Sequence, residues 1–299
     1  MQARSHWNSR FLWILLLGIL FGAGFWMRSL PADNISRRMA GLWPQAAAPM
    51  VTLYFGAGPF LIPVSRRLPA SDALPRMALE ALLAGPSQTS GLADAIPRDV
   101  KIRSFAVSGG VAVIDLSAGF LGAKSENPVA QNALVETMTA LPGVRSVSLS
   151  VEGKPLVLSA ERVPLLYYAS AHGLVAVPAS ANTPRDTVAQ YLSGPPDPSL
   201  TGLPADVQLL GYNYNPNGRL VSLNFTYKPS VRVLALETPE RMRFVLLGLI
   251  ASLTDLPQVD AVQLDFEGRT RLGVGQCSDL LRTRQPKPEL LNDERLLGR

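Results

Sequence analysis

The stretch Leu141–Gly153, LPGVRSVSLSVEG, is answered by Leu256–Gly268, LPQVDAVQLDFEG, at an offset of 115 residues and with seven identities in thirteen positions. Apolar residues alternate with polar ones from Val147 to Val151 and from Val262 to Phe266. That period of two marks a strand with one face buried. Each strand runs into a Glu-Gly pair, Glu152-Gly153 and Glu267-Gly268, a pairing suited to a tight turn.

The echo extends backwards along the chain. VTLYFGAGPFLIPVSRRL from Val51 is matched by PLLYYASAHGLVAVPASANT from Pro164, with Tyr54 answering Tyr167. ALPRMALEALLAGP is matched by TPRDTVAQYLSGPP. Both read as amphipathic helices: Pro75 and Pro184 suit a first turn, Ser71 or Asp72 and Thr183 can cap, and Gly-Pro stops each run. Their apolar stripes, Met77, Leu79, Leu82 and Leu83 in one and Val188, Tyr191 and Leu192 in the other, are those of core-packing helices. AIPRDVKIRSFAVSGGVAVIDLSAGF then pairs with GLPADVQLLGYNYNPNGRLVSLNFTYKP. Each holds two alternating runs around a turn, Ser108-Gly109-Gly110 or Asn215-Pro216-Asn217-Gly218, which predicts antiparallel hairpins. A second helix follows, Val129 to Ala140 and Pro239 to Thr254, before the strand quoted first.

The predicted fold class is therefore α+β: two tandem strand-helix-strand-strand-helix-strand units, each a mostly antiparallel sheet with helices on one face. Units of roughly one hundred residues can bury their own cores. The division reads as an N-terminus over 1–10, an apolar segment over 11–27, a linker over 28–49, units over 50–160 and 161–274, and a charged mobile tail over 275–299, where Pro286 and Pro288 stand among dense charge.

Residues 11–27, FLWILLLGILFGAGFWM, carry no charge over seventeen positions, at the short end of a single membrane-spanning helix. Trp7, Trp13 and Trp26 lie at or near its ends, and Arg4 and Arg10 precede it, the arrangement of a cytoplasmic start. A cleaved signal peptide is the rival reading; its first small-residue site, Gln45–Pro49, lies far from the apolar run. Either way the bulk of the chain is expected outside the cytoplasm, held at a bacterial cell membrane by one pass if the segment is kept.

The formal charge of +5 is local. Five of the 28 basic residues lie in the first 49 positions with only Asp33 against them, leaving 23 basic and 22 acidic residues from position 50 onward. That balance gives no nucleic-acid surface. The single Cys277 permits no internal disulfide, and His6 and His172 cannot supply a zinc cluster. No phosphate-cradling glycine motif stands in a strand-to-helix context, so no cofactor, metal or catalytic residue is assigned.

Four residues are candidates for interaction. Asp115 closes an apolar strand before SAGF, yet its counterpart is Asn224, which can accept the same loop hydrogen bonds but cannot act as a base. Tyr212 and Tyr214 share one face of their strand, and Tyr227 follows with Phe225. They belong to the core or to a recognition patch, the core being favoured. Ser65 and Ser117 lack a nearby histidine in sequence, and Glu152 and Glu267 fit turn chemistry.

Together the Tyr-containing first strand, the helix ending in Gly-Pro, IPRDVKI leading into GVAVIDLSAGF, and the LPGVRSVSLSVEGKPL ending resemble the GerMN domain of the GerM family of spore germination and sporulation proteins. The resemblance covers residues 50 to 158 well, and 164 to 272 as a more diverged copy in which TYKP replaces SAGF. It implies a tandem GerMN protein at the outer face of a bacterial membrane, part of an envelope-spanning assembly, with a fold similar to ring-building modules of secretion systems. The chain departs from the lipoprotein members in lacking a lipid-accepting cysteine after the apolar run. The expected function is a non-enzymatic envelope scaffold or assembly factor whose partners are envelope proteins or further copies of itself. The rival is a ligand-binding envelope module for peptidoglycan or glycan in the cleft between units, with a hydrolase a distant third.

Overall fold

The turns that punctuate the sequence form as their chemistry requires. Gly109 and Gly110 take φ of 59° and 83° between strands paired at Ser108 and Val111, the doubly left-handed geometry of a two-residue hairpin. Glu152 and Gly153 (φ 52° and 76°) and Glu267 and Gly268 (φ 52° and 69°) repeat it in both copies. A glutamate held at positive φ is uncommon, so the shared value shows one local design used twice.

The computed structural model describes residues 48–58, 60–124, 128–156, 163–171, 173–268, 275–281 and 283–297. The apolar segment 11–27 lies outside the described residues, and among those described no helix is long and apolar enough to cross a membrane. Within the unit Pro49–Arg299, the first copy runs β1 (Met50–Ala57), β2 (Phe60–Arg67), α1 (Leu74–Leu83), β3 (Ile102–Ser108), β4 (Val111–Leu116), a short 3-10 segment (Ala118–Lys124), α2 (Pro128–Thr139), β5 (Ser146–Val151) and β6 (Lys154–Pro155). The second runs β7 (Leu165–Ala169), β8 (Leu174–Pro178), α3 (Pro184–Leu192), β9 (Leu209–Asn215), β10 (Leu220–Phe225), α4 (Pro229–Glu237), α5 (Pro239–Thr254) and β11 (Ala261–Phe266). A 3-10 turn (Gly275–Leu281), β12 (Gln285–Pro286) and α6 (Glu294–Leu297) follow.

Two corrections to the sequence reading emerge. Each copy was expected to build one sheet; instead three form, in the orders β1-β2-β8-β7, β3-β4-β5-β6 and β12-β11-β10-β9. The first hairpin of each copy stands apart from its copy's other strands and joins the other copy's hairpin, edge to edge, through antiparallel pairing of β2 with β8. Pairing remains mostly antiparallel, but β4 with β5 and β10 with β11 are parallel, because a helix separates each pair and carries the chain back to the starting end.

The second correction concerns the tail, which is packed. Leu291 and Leu297 are 4% and 5% exposed and Asn292 is 3% exposed, while β12 pairs antiparallel with β11. Prolines and charge leave room for a few buried anchors, and these hold it.

The long helices cap the shared sheet's outer strands. α2 packs on β1 and β5, and α5 packs on β7 and β11. The outward Tyr54 N–H donates to Thr137 Oγ1 of α2 at 3.1 Å, and the Tyr167 N–H donates to Ser252 Oγ of α5 at 2.8 Å. Thus one main-chain group of each edge strand is satisfied by a helix hydroxyl, and Gly56 and Ala169 form bridges to Ala93 and Thr201, which blunts edges otherwise open to stray pairing. A Cβ on Gly248 would stand 2.2 Å from the Tyr167 carbonyl oxygen, so only glycine lets α5 approach that closely. The side chains of Tyr54 and Tyr167, each 1% exposed, meet hydroxyl to hydroxyl at 2.9 Å. Buried residues of both copies form one continuous core.

Tyr54→Phe or Tyr167→Phe alone should cost about 1–3 kcal/mol, the penalty of a buried hydroxyl losing a partner. The double variant should cost clearly less than the sum of the two. Urea unfolding of the three proteins checks this, and strict additivity would contradict the direct pairing.

Candidate interaction surfaces

The strand-and-turn design places the same polar groups at equivalent points of both copies. Asp115, at the end of β4, accepts through Oδ1 from the Gly153 N–H at 2.9 Å and from Ser150 Oγ at 2.9 Å. Asn224, at the end of β10, accepts through Oδ1 from the Gly268 N–H at 2.9 Å. Glu152 accepts from the Ala118 N–H at 3.1 Å and Glu267 from the Tyr227 N–H at 3.3 Å. Each carboxylate or amide thus pins a turn to its neighbouring strand. Ser117 Oγ accepts from the Lys101 N–H and Thr226 Oγ1 from the Gln208 N–H, both at 2.9 Å. Ser65 Oγ accepts from the Leu291 N–H at 3.0 Å.

The copies differ in what lies over this network. β3 and β9 are irregular at matching points, the register shifting between Ile102 and Ser104 and between Leu209 and Gly211. Such bulges re-aim the extra residue. In the first copy that residue is Arg103, whose Nη1 lies 3.4 Å from Asp115 Oδ2 and 3.0 Å from Glu152 Oε2. In the second it is Leu210, 55% exposed. The Asp115 carboxyl is held below the usual carboxylate range, first by the Gly153 hydrogen bond, which desolvation opposes, and with lesser help from Ser150 and then Arg103.

Tyr212, Tyr214 and Tyr227 are half-buried and packed on the core. Register explains it: Tyr212 lies opposite Leu223 and Tyr214 opposite Val221, both inward residues. Tyr214 donates to the Gln258 carbonyl at 2.9 Å. The Arg185 guanidinium lies 5.7 Å from the Tyr212 ring centre, and Tyr227 packs edge-on against Phe266. Burial pushes the Tyr212 hydroxyl's pKa up, with Arg185 opposing. The structure therefore brings Tyr212 and Tyr214 together on one face and leaves Tyr227 against another ring.

Three features escaped the sequence reading. β3 and β9 are terminal strands of their sheets, and Val107 on β3 and Leu209 and Leu210 on β9 are 40%, 36% and 55% exposed. β9, LLGYNYN, has no charge and no proline along seven residues. Second, α4 replaces the 3-10 segment of the first copy and exposes Val233 and Leu236 beside a groove of about 450 Å3 lined by Pro195, Leu200, Leu203 and Pro204. Its signal was Pro229, a first-turn proline. Third, a cavity of about 190 Å3 at the junction of the copies is lined by Leu61, Val129, Asn132, Leu165, Ala176 and Pro178. Among the described residues no group of three or more His, Cys, Asp or Glu side chains could hold a metal ion.

A family model described as Germane: Sporulation and spore germination matches residues 52–157 and again 165–272. The chain belongs to this family. Its two matched stretches coincide with the two copies of the fold, so this is a tandem GerMN protein. The spore germination protein GerM of Bacillus subtilis (strain 168) is 30% identical over 133 residues, 41% of this chain and 36% of that protein. The match therefore spans little more than a third of that relative's length. A solved structure of the tandem GerMN domains of the sporulation protein GerM from Bacillus subtilis is similar with a TM-score of 0.62, covering 81% of this chain and 99% of that one at 19% identity; this shows a shared fold.

Because Asn224 performs the Asp115 task without charge, Asp115→Asn should keep the turn and Asp115→Ala should lower the melting temperature. The wild type's margin over Asp115→Asn, where present, should vanish on acidification. A carboxyl with a lowered native pKa contributes fully above its unfolded value, about 3.9, and loses the contribution as pH falls through the native value. Melting curves from pH 7 to pH 2 check both, and equal behaviour of the Asn and Ala variants would refute the turn-pinning role.

Proposed function

We propose that this tandem GerMN protein is a non-enzymatic scaffold or assembly factor of the bacterial envelope, anchored by residues 11–27 with the GerMN units outside the cytoplasm, in a process of the sporulation or germination type. Its partners are envelope proteins or further copies of itself.

The observation that carries this reading is the pair of strand edges, one per copy and at equivalent positions, that no strand among the described residues pairs with. Soluble proteins usually blunt such edges with charge, proline or a covering element. The shared sheet's outer strands are covered here by α2 and α5, whereas β9 presents an uncharged edge beginning with two exposed leucines. An edge of that kind fits strand addition, in which main-chain hydrogen bonds supply affinity and alternate side chains supply selectivity. Glycan binding in the interunit cleft has less support. The junction cavity is small and mostly apolar, below the roughly 300–1,000 Å3 typical of ligand pockets, and the tyrosines rest on the core.

Photocrosslinkers placed at Asn213 and Ser104 in intact cells should give discrete protein adducts. Leu210→Lys should cut adduct yield from the Asn213 position at least tenfold while changing stability by no more than about 0.5 kcal/mol, as for an exposed substitution. Capture of peptidoglycan fragments alone, or yields unaffected by the lysine, would overturn the assembly reading.

A further inference from the structure

We propose that the C-terminal strap, residues 284–297, is a latch that fixes the two GerMN units in one orientation and that its release lets them pivot. The latch would operate whether or not the strand edges recruit a partner.

The strap is fastened at both ends to different units. On the second unit, β12 pairs with β11 at Ala261 and Val262. Lys287 Nζ reaches Oδ1 of the buried Asp255 at 3.1 Å, and Arg284 donates to the Gly218 carbonyl at 3.2 Å. The chain then crosses through the exposed Glu289 and Leu290. On the first unit, Leu291 N–H donates to Ser65 Oγ at 3.0 Å and Ser65 N–H to the Asn292 carbonyl at 3.1 Å. Glu294 then holds Arg66 through both carboxylate oxygens, at 3.0 and 2.8 Å, and accepts from the Ser87 N–H. Arg66 also lies over the Phe55 ring and against the α1 C-terminal carbonyls of Ala81 and Gly85, where a cation is favoured.

Between these ends Asn292 repairs a gap. The β2–β8 ladder records one Cα pair, Leu61 with Ala176, and Pro63 has no N–H to extend it. The Asn292 amide acts as a peptide substitute: Nδ2 donates to the Pro63 carbonyl at 2.7 Å and the Leu174 carbonyl at 2.8 Å, and Oδ1 accepts from the Leu174 N–H at 2.8 Å. One side chain thus satisfies main-chain groups of both units at a buried site. A Cβ on Gly173 would stand 2.3 Å from Asn292 Oδ1, so the second unit keeps a glycine where the latch enters. The strap buries only Leu291, Asn292 and Leu297, and Asn292 sits at the seam where β2 meets β8. Its leverage falls on orientation.

The test is a distance measurement between the units of the full chain in nanodiscs, with spin labels at Ser148→Cys and Asn213→Cys in a Cys277→Ser background. Wild type should give one narrow distance distribution. Deletion of residues 288–297 and, independently, Asn292→Ala should at least double its width while near-ultraviolet circular dichroism shows both units still folded. An unchanged width in both variants would overturn the latch. So would loss of the units' own folded signal in Asn292→Ala, which would make the strap an ordinary part of the core.

Discussion

Two tyrosine hydroxyls meeting in the buried interior set the constraint on which this molecule depends. Tyr54 and Tyr167 occupy equivalent positions on the outer strands β1 and β7, and their rings reach toward each other across β2 and β8. Buried hydroxyls must find partners, and these find each other only if the first hairpins of both copies lie in one sheet. Once that sheet exists, its outer edges need covering, which places α2 and α5. These helices in turn seat the two remaining sheets through β5 and β11. Duplication has produced one body whose central layer belongs to neither copy alone.

Around that body the copies have kept their wiring and changed their outward chemistry. The carboxamide of Asn224 does the turn-holding work of the Asp115 carboxylate, and Thr226 does that of Ser117. The bulge that aims Arg103 back onto two acids aims Leu210 at solvent instead. The second copy also converts the short 3-10 segment into α4, with Val233 and Leu236 on its open side. At these points the copies differ on exposed surface while the internal hydrogen bonds persist. Equally, the half-buried tyrosines show that an aromatic cluster in an alternating strand is read safely only together with the register of its neighbour.

Much of this was legible beforehand because it is local. Glu-Gly turns, proline-led helices and alternating strands announce themselves within a dozen residues, and the repeat doubled every signal. The shared sheet was not legible: choosing between an intraunit and an interunit partner for β2 depends on contacts more than one hundred residues apart. The tail misled for a different reason. Its composition is that of a solvated segment, and its hold rests on an asparagine doing main-chain work beside two leucines, a pattern with no periodicity. α4, which begins at Pro229, was not read from the sequence at all, although proline is ordinary at a first helical position. Among the candidate residues, Asp115 was expected to bond the loop that follows it, and its oxygen is bonded instead by Gly153 of a distant turn, because parallel pairing of β4 and β5 brings those ends together.

The claim that one sheet is shared by both copies is tested most directly by native-state hydrogen exchange across β1, β2, β7 and β8. Amides of the two hairpins should exchange through the same global opening, with a common free energy and a common dependence on denaturant. If the Leu165–Pro178 hairpin opened at markedly lower free energy while Met50–Arg67 stayed protected, the copies would be independent domains in contact and the account of a common central layer would be wrong.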